Sequence, residues 1–179
     1  MNKIGIFGGV LALVAVVGLV FMNYSGFGNN ANATKTDYKN ATYTIDGNQV
    51  SLVNGVSEVP AAPDSAAMLT VKYFGNNAAG DLNGDGTDDL AFLITQNGGG
   101  SGTFYYVVAA LQNANGGYTG TNAVLLGDRI APQTTEIKDG TITVNYTDRR
   151  PGQPMTAQPS VGVSKYFKMQ GGQLVATQE

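Results

Sequence analysis

From residue 41 onward the chain consists of short apolar runs separated by glycine-containing turns, and no long stretch there repeats apolar residues at helical spacing. That pattern restricts it to strands, since periods of two and 3.6 cannot be satisfied by the same run. Residues 41–45 (ATYTI) and 49–53 (QVSLV) flank Asp46-Gly47, a pair suited to the positive φ angles of a tight hairpin turn. Leu69, Val71 and Tyr73 alternate with Thr70 and Lys72 and read as a half-buried strand. Residues 90–94 (LAFLI) form a continuous apolar run, and residues 103–111 (TFYYVVAAL) are apolar on both faces and read as a central strand. The glycine cluster at residues 98–102 connects these two runs, and residues 59–67, with Pro60 and Pro63, read as a loop. Further on, residues 122–126 make a short strand, and Ile142, Val144 and Tyr146 alternate after the Asp139-Gly140 turn. Residues 161–169 pair with 173–176 across Gly171-Gly172. With 25 glycines to serve such turns, residues 41–179 are expected to form an all-β domain, an antiparallel sandwich or curved sheet of about 8–10 strands.

The first 22 residues differ from the rest. Residues 4–22 contain no charged residue, and Lys3 is the only charge before them. As a helix this run would extend roughly 28 Å, about one hydrocarbon core. A transmembrane helix over residues 1–22 is therefore expected ahead of the β-domain, with a cytoplasmic N-terminus and membrane partnership through that helix. The alternative is a signal peptide cleaved after Ala31-Asn32-Ala33, releasing a secreted form that begins near Thr34. Residues 23–40 (NYSGFGNNANATKTDYKN) have no periodicity and read as a flexible linker. Either way the β-domain is expected outside the cytoplasm. The chain has no Cys, so no disulfide staples it, and no His, which removes the usual general base and transition-metal ligand. Beyond Lys3, 13 acidic residues face 9 basic ones, a balance that argues against nucleic acid as a partner.

Four of the acidic residues fall within residues 81–90 (DLNGDGTDDL). Asp81, Asn83, Asp85 and Asp89 occupy positions 1, 3, 5 and 9 of a glycine-containing loop, and their side-chain oxygens can converge on one hard cation. The backbone carbonyl of Thr87 would be a further ligand, Gly86 would permit the sharp turn, and Leu82 and Leu90 would fasten the loop to the core. Without a counter-ion the acidic side chains would repel one another. Ca²⁺ suits these donors better than Mg²⁺, which gives up its waters reluctantly. A metal-free Asn-Gly or Asp-Gly turn is the competing reading.

These residues resemble the calcium loop of FG-GAP-type repeats, which lies between strands in integrin-like propellers and secreted bacterial proteins. Over its first six positions the loop is also similar to dockerin and EF-hand loops. The EF-hand likeness fails at the twelfth position, where Phe92 stands in place of a bidentate Glu. The resemblance covers about eleven residues and occurs once, so it implies a calcium site but not a propeller. The remainder is similar to exported bacterial β-domains.

Other signals are weaker. Gly127-Asp128-Arg129 reads as a strand-end turn with a surface ion pair, and Arg149-Arg150-Pro151-Gly152 as a solvated basic loop, with lipid or partner contact as the alternative. Tyr105, Tyr106 and Tyr146 read as core or cross-strand aromatics, with a sugar-stacking face as the alternative. Asp88 with Asp128 is the carboxylate pair open to glycosidase-type chemistry. The expected function is a binding or interaction module at the cell envelope with a structural calcium site. Candidate partners are an envelope protein or a glycan. An exported hydrolase or carbohydrate-active accessory protein, and a surface or filament subunit, are the alternatives. No catalytic residue is assigned.

Overall fold

A computed structural model describes residues 36–178. Twelve strands follow a single 3-10 turn at Tyr38–Asn40. Strands β1 (Thr42–Ile45) and β2 (Asn48–Ser51) form a hairpin. A larger sheet contains β3 (Val56–Pro60), β4 (Met68–Gly80), β5 (Asp89–Asn97), β6 (Phe104–Gln112) and β7 (Tyr118–Gly120), in that order. Strand β8 (Val124–Asp128) pairs with β6 on the stretch that β7 leaves open. A four-stranded sheet contains β9 (Ala131–Lys138), β10 (Thr141–Asp148), β11 (Val161–Gln170) and β12 (Gln173–Thr177). Every pairing between strands is antiparallel.

The centre of the larger sheet is buried on both faces, which explains why residues 90–94 of β5 and 104–111 of β6 run apolar without alternation. Ala91 and Leu93 of β5, with Val107 and Ala109 of β6, pack against Ile142, Val144, Tyr146, Phe167 and Leu174 of the four-stranded sheet. The opposite-facing residues Phe92, Ile94, Tyr106, Val108 and Ala110 pack against Tyr43, Ile45 and Leu52 of the hairpin layer. Cross-strand register keeps each set together, with Leu93 opposite Val107 on one face and Phe92 opposite Val108 on the other. In β10 only one face is covered: Ile142, Val144 and Tyr146 are buried while Thr141, Thr143 and Asn145 are half-buried on the other face. Strict alternation there reports one-sided burial.

Residues 36–40 pack on the domain. The Tyr38 ring lies 5.4 Å from Phe92, 5.9 Å from Tyr73 and 5.8 Å from Tyr118 between centroids. The Thr36 carbonyl accepts from the Tyr118 amide at 2.8 Å, and the Tyr43 hydroxyl donates to the Tyr38 carbonyl at 2.7 Å.

The expected all-β antiparallel fold is found, but the transmembrane helix expected with it is not. Among the described residues no helix is long and apolar enough to cross a membrane, and the expected fold is corrected in that respect. The run at residues 1–22 to which that helix was assigned lies outside the described residues. Twelve strands also exceed the expected eight to ten. The three that local pattern misses have identifiable causes. β3 occupies part of the stretch assigned to a loop, because Pro60 sits at the end of an edge strand where its missing N–H costs nothing. β7 has three residues, too few to show a period. β9 (APQTTEIK) turns only Thr135 fully inward, and it is set by pairing with β10 across Asp139-Gly140.

Close approach between layers is concentrated at a few glycines. A Cβ on Gly120 would run into the Thr42 carbonyl oxygen and come within 2.7 Å of the Tyr43 ring. Gly162, in β11, has nothing within 4 Å of its Cβ position. Gly120→Ala is therefore expected to cost about 1–3 kcal/mol through overpacking. Gly162→Ala should stay within about 0.5 kcal/mol of the parent. Urea unfolding of the two variants checks this, and equal stabilities would contradict the close hairpin contact.

Candidate functional site

The acidic loop joins β4 to β5 at one end of the larger sheet. Its side chains fold back on its own backbone. The Asp81 carboxylate accepts from the amides of Gly84 at 2.7 Å, Gly86 at 2.9 Å and Asn83 at 3.2 Å. Asn83 Oδ1 accepts from the Asp85 amide at 2.9 Å, and its Nδ2 donates to Asp85 Oδ2 at 2.9 Å. Asp85 Oδ1 accepts from the Thr87 amide at 2.8 Å. Both loop glycines have positive φ, 82° at Gly84 and at Gly86, and a Cβ at either would meet nothing within 4 Å. Backbone conformation, not space, calls for glycine there. The Asn83 amide, and then the Thr87 N–H, hold the Asp85 carboxyl below the usual carboxylate range.

Asp89 has a different role from the other three. It is fully buried, whereas Asp81 is half-buried and Asn83 and Asp85 are exposed. Its Oδ2 accepts from the Leu82 amide at 3.0 Å and its Oδ1 from the Gln112 amide at 2.9 Å. One side chain thus ties the start of the loop to the end of β6. Burial pushes this carboxyl up from its usual value. The amides of Gln112 and Leu82 pull it down, and the negative charges of Asp85 and Asp81 push it up further.

The donor set, tested for a cation, consists entirely of hard oxygens, as Ca²⁺ requires. Each carboxylate oxygen that accepts one amide keeps a lone pair for a second partner. The acidic residues alone do not make the site. Among the described residues no group of three or more Asp, Glu, His or Cys side chains lies close enough to hold a metal ion. A cation here would therefore have to draw Asp81, Asp85 and Asp89 closer together than they stand, with Asn83 Oδ1 and the Thr87 carbonyl as further ligands. Asp88 is exposed and its side chain takes no part in the loop's hydrogen bonds. An open groove of about 460 Å³ runs between the loop and the β9–β10 turn, with Asp81 on one wall and Asp139 on the other. Neither Asp139 nor Gln112 carries a sequence signal for this placement, because pairing between distant strands brings both to the loop.

The other candidates are placed elsewhere. Asp128 pairs with Phe104 at the start of β6, while Leu90, two residues after Asp88, pairs with Ala110 near its end. Six strand residues separate these registers, roughly 20 Å, far beyond the 5–9.5 Å of a glycosidase carboxylate pair. The Gly127-Asp128-Arg129 turn does carry the expected ion pair, with Arg129 Nη2 2.9 Å from Asp128 Oδ2. Arg149 is half-buried instead of solvated. Its guanidinium donates to the carbonyls of Ala157 at 2.7 Å and Arg129 at 3.0 Å, clasping the β10–β11 loop to the β8–β9 turn. Tyr106 and Tyr146 are buried, and their hydroxyls donate to Asp46 Oδ2 at 3.1 Å and the Leu126 carbonyl at 3.2 Å. Tyr105 meets Phe74 edge-on with ring centroids 5.2 Å apart.

Asp89→Asn replaces one buried acceptor with a donor facing an amide, and should cost about 1.5–3 kcal/mol. Asp88→Asn should stay within about 0.5 kcal/mol. Similar unfolding midpoints for the two variants would contradict the bridging role of Asp89. At Asp128, burial alone would raise the carboxyl, but Arg129 and the Thr103 amide outweigh it and hold the group below its usual value. A lowered folded-state value means that this contribution is complete above the unfolded-state value and is lost as pH falls through the folded-state one. Acid unfolding below about pH 4 should therefore be shallower in Asp128→Asn than in the parent. Superimposable acid limbs would contradict it.

Comparison of the chain with protein-family models, with curated proteins and with solved structures finds no match.

Proposed function

We propose that the β-domain is an extracytoplasmic binding module whose acidic loop holds a structural Ca²⁺ through Asp81, Asn83, Asp85, the Thr87 carbonyl and Asp89. The observation that carries this reading is the loop's own hydrogen bonding. Backbone amides gather the side-chain oxygens of Asp81, Asn83 and Asp85 onto one turn, next to a buried carboxylate at the head of β5. Asp81 and Asp85 both disfavour ionised Asp89, so a divalent cation would offset repulsion that the loop otherwise carries. A metal-free turn would need only a hydrogen-bonding residue at its start, and this loop spends four acidic residues.

A structural role fits better than a catalytic one. The chain has no His or Cys to act as base or nucleophile. The carboxylate pair considered for glycoside hydrolysis sits at opposite ends of β6. The loop's oxygens are engaged with its own amides, leaving the cation the task of fixing the β4–β5 connection. An envelope protein or a glycan is the proposed partner of the domain.

Calorimetry and thermal unfolding of the full chain test the calcium site. For a Kd of about 10⁻⁵–10⁻⁴ M and Ca²⁺ near 1 mM, linkage gives roughly 1.4–2.7 kcal/mol, or a rise in Tm of roughly 3–10 °C. Chelator should remove the gain, Mg²⁺ should restore less of it, and Asp85→Ala should abolish it. No heat of binding, with a melting curve indifferent to Ca²⁺ and chelator, would reduce the loop to a turn.

A further inference from the structure

At the end of β4 and β5 remote from the acidic loop, a cleft of about 320 Å³ separates the β1–β2 hairpin from the edge of the larger sheet. Its volume lies at the lower end of the range for small-ligand sites. Ile45 and Val50 wall it on the hairpin side, and Val59 and Leu69 on the sheet side. The polar lining combines one carboxylate, that of Asp46, with the side-chain amides of Asn48, Gln49 and Gln96. Asp46 is its one charged residue, and the carboxylate uses Oδ2 to accept from the Tyr106 hydroxyl at 3.1 Å, leaving Oδ1 open. Gln96 lines the cleft from β5, and its Oε1 is buried with no donor. Buried acceptors are nearly always paired, and one without a donor costs stability until something supplies it. Rotation about the soft terminal torsion of Gln96 can turn that oxygen toward a guest.

A cleft with aliphatic walls, three side-chain amides, one carboxylate and no cationic side chain favours a particular chemistry. The guest must bring hydrogen-bond donors and positive charge on a short aliphatic body. A carboxylate guest would meet Asp46 with like charge, and a neutral alcohol would leave that charge unanswered. We propose that this cleft binds an alkylammonium group, with the aliphatic chain between Val50 and Leu69 and the ammonium between Asp46 and Gln96. A free small amine and a lysine side chain share this chemistry. The site is independent of the calcium reading, since it lies at the other end of the strands and uses none of the loop's residues.

Isotope-edited NMR of the full chain, titrated with n-pentylamine, pentanol and pentanoate, tests it. Pentylammonium should shift the methyl signals of Ile45, Val50, Val59 and Leu69, and should bind about fivefold more tightly than pentanol, the upper range for an exposed charge pair. Pentanoate should bind more weakly than both. Asp46→Asn keeps a residue that tolerates the turn's positive φ of 49° and should erase the preference for amine over alcohol. Leu69→Phe, which fills the cleft, should weaken all three. N-acetyl-lysine methylamide distinguishes the sources. Binding at least as tight as pentylamine assigns the cleft to a lysine side chain, and tighter binding of the free amine assigns it to a small molecule. Equal affinity for amine and alcohol, or an amine preference that survives Asp46→Asn, overturns the proposal, as does an absence of methyl shifts at the highest amine concentration.

Discussion

Two-sided burial of β5 and β6 is the constraint on which the rest of the domain depends. Phe92, Leu93, Ile94, Val107 and Val108 have essentially no exposed surface and face alternately toward the hairpin layer and the four-stranded sheet. Neither covering layer has a second buried face. The hairpin offers Tyr43 and Ile45 to one side, and β10 offers Ile142, Val144 and Tyr146 to one side. Removing either layer would expose half of an apolar sheet, so the three layers stabilise one another through the central pair. With no disulfide in the chain, apolar burial of this kind and the backbone ladder carry the domain's stability.

The acidic loop is connected to that pair directly. Asp89 opens β5 and bridges the amides of Leu82 and Gln112, while Leu82 itself joins the core that includes Leu93 and Val107. The loop therefore reports on the central sheet, and whatever neutralises its charge acts on the sheet as well. This coupling is why the proposed cation is given a structural role. The opposite end of β4 and β5 holds the cleft around Asp46, whose occupant would join the hairpin to the sheet edge.

Several features were legible in the sequence because their causes are local. The Asp46-Gly47 and Asp139-Gly140 pairs mark turns in which both residues have positive φ, 49° and 81° in the first, 49° and 68° in the second. The apolar runs 90–94 and 103–111 mark the interior strands, and alternation at Ile142, Val144 and Tyr146 marks a strand with one covered face. What stayed hidden depends on distant residues. The second half of β4 (GNNAAG) contains no apolar stripe and follows register shifts on either side of Gly75, one at Phe74 and one between Gly75 and Ala78, with pairing supplied by β5. Strand β9 is polar along most of its length and exists because β10 offers it a partner. Within the loop, the alternation of Asp81, Asn83 and Asp85 and the need for glycine were readable. That Asp89 is buried between Leu82 and Gln112 was not, because Gln112 comes from the far end of another strand. Arg149 was hidden for the same reason: besides Ala157 in its own loop it holds the carbonyl of Arg129, in the β8–β9 turn twenty residues earlier.

Native-state hydrogen exchange, recorded residue by residue with and without Ca²⁺, tests most directly whether the acidic loop and the doubly buried sheet form one unit. The amides of β5 and β6, including Phe92, Leu93, Val107 and Val108, should be the slowest to exchange. Ca²⁺ should slow them by the same factor as it lowers the globally unfolded population. Protection confined to the loop amides of Gly84, Gly86 and Thr87, with β5 and β6 unchanged, would contradict it.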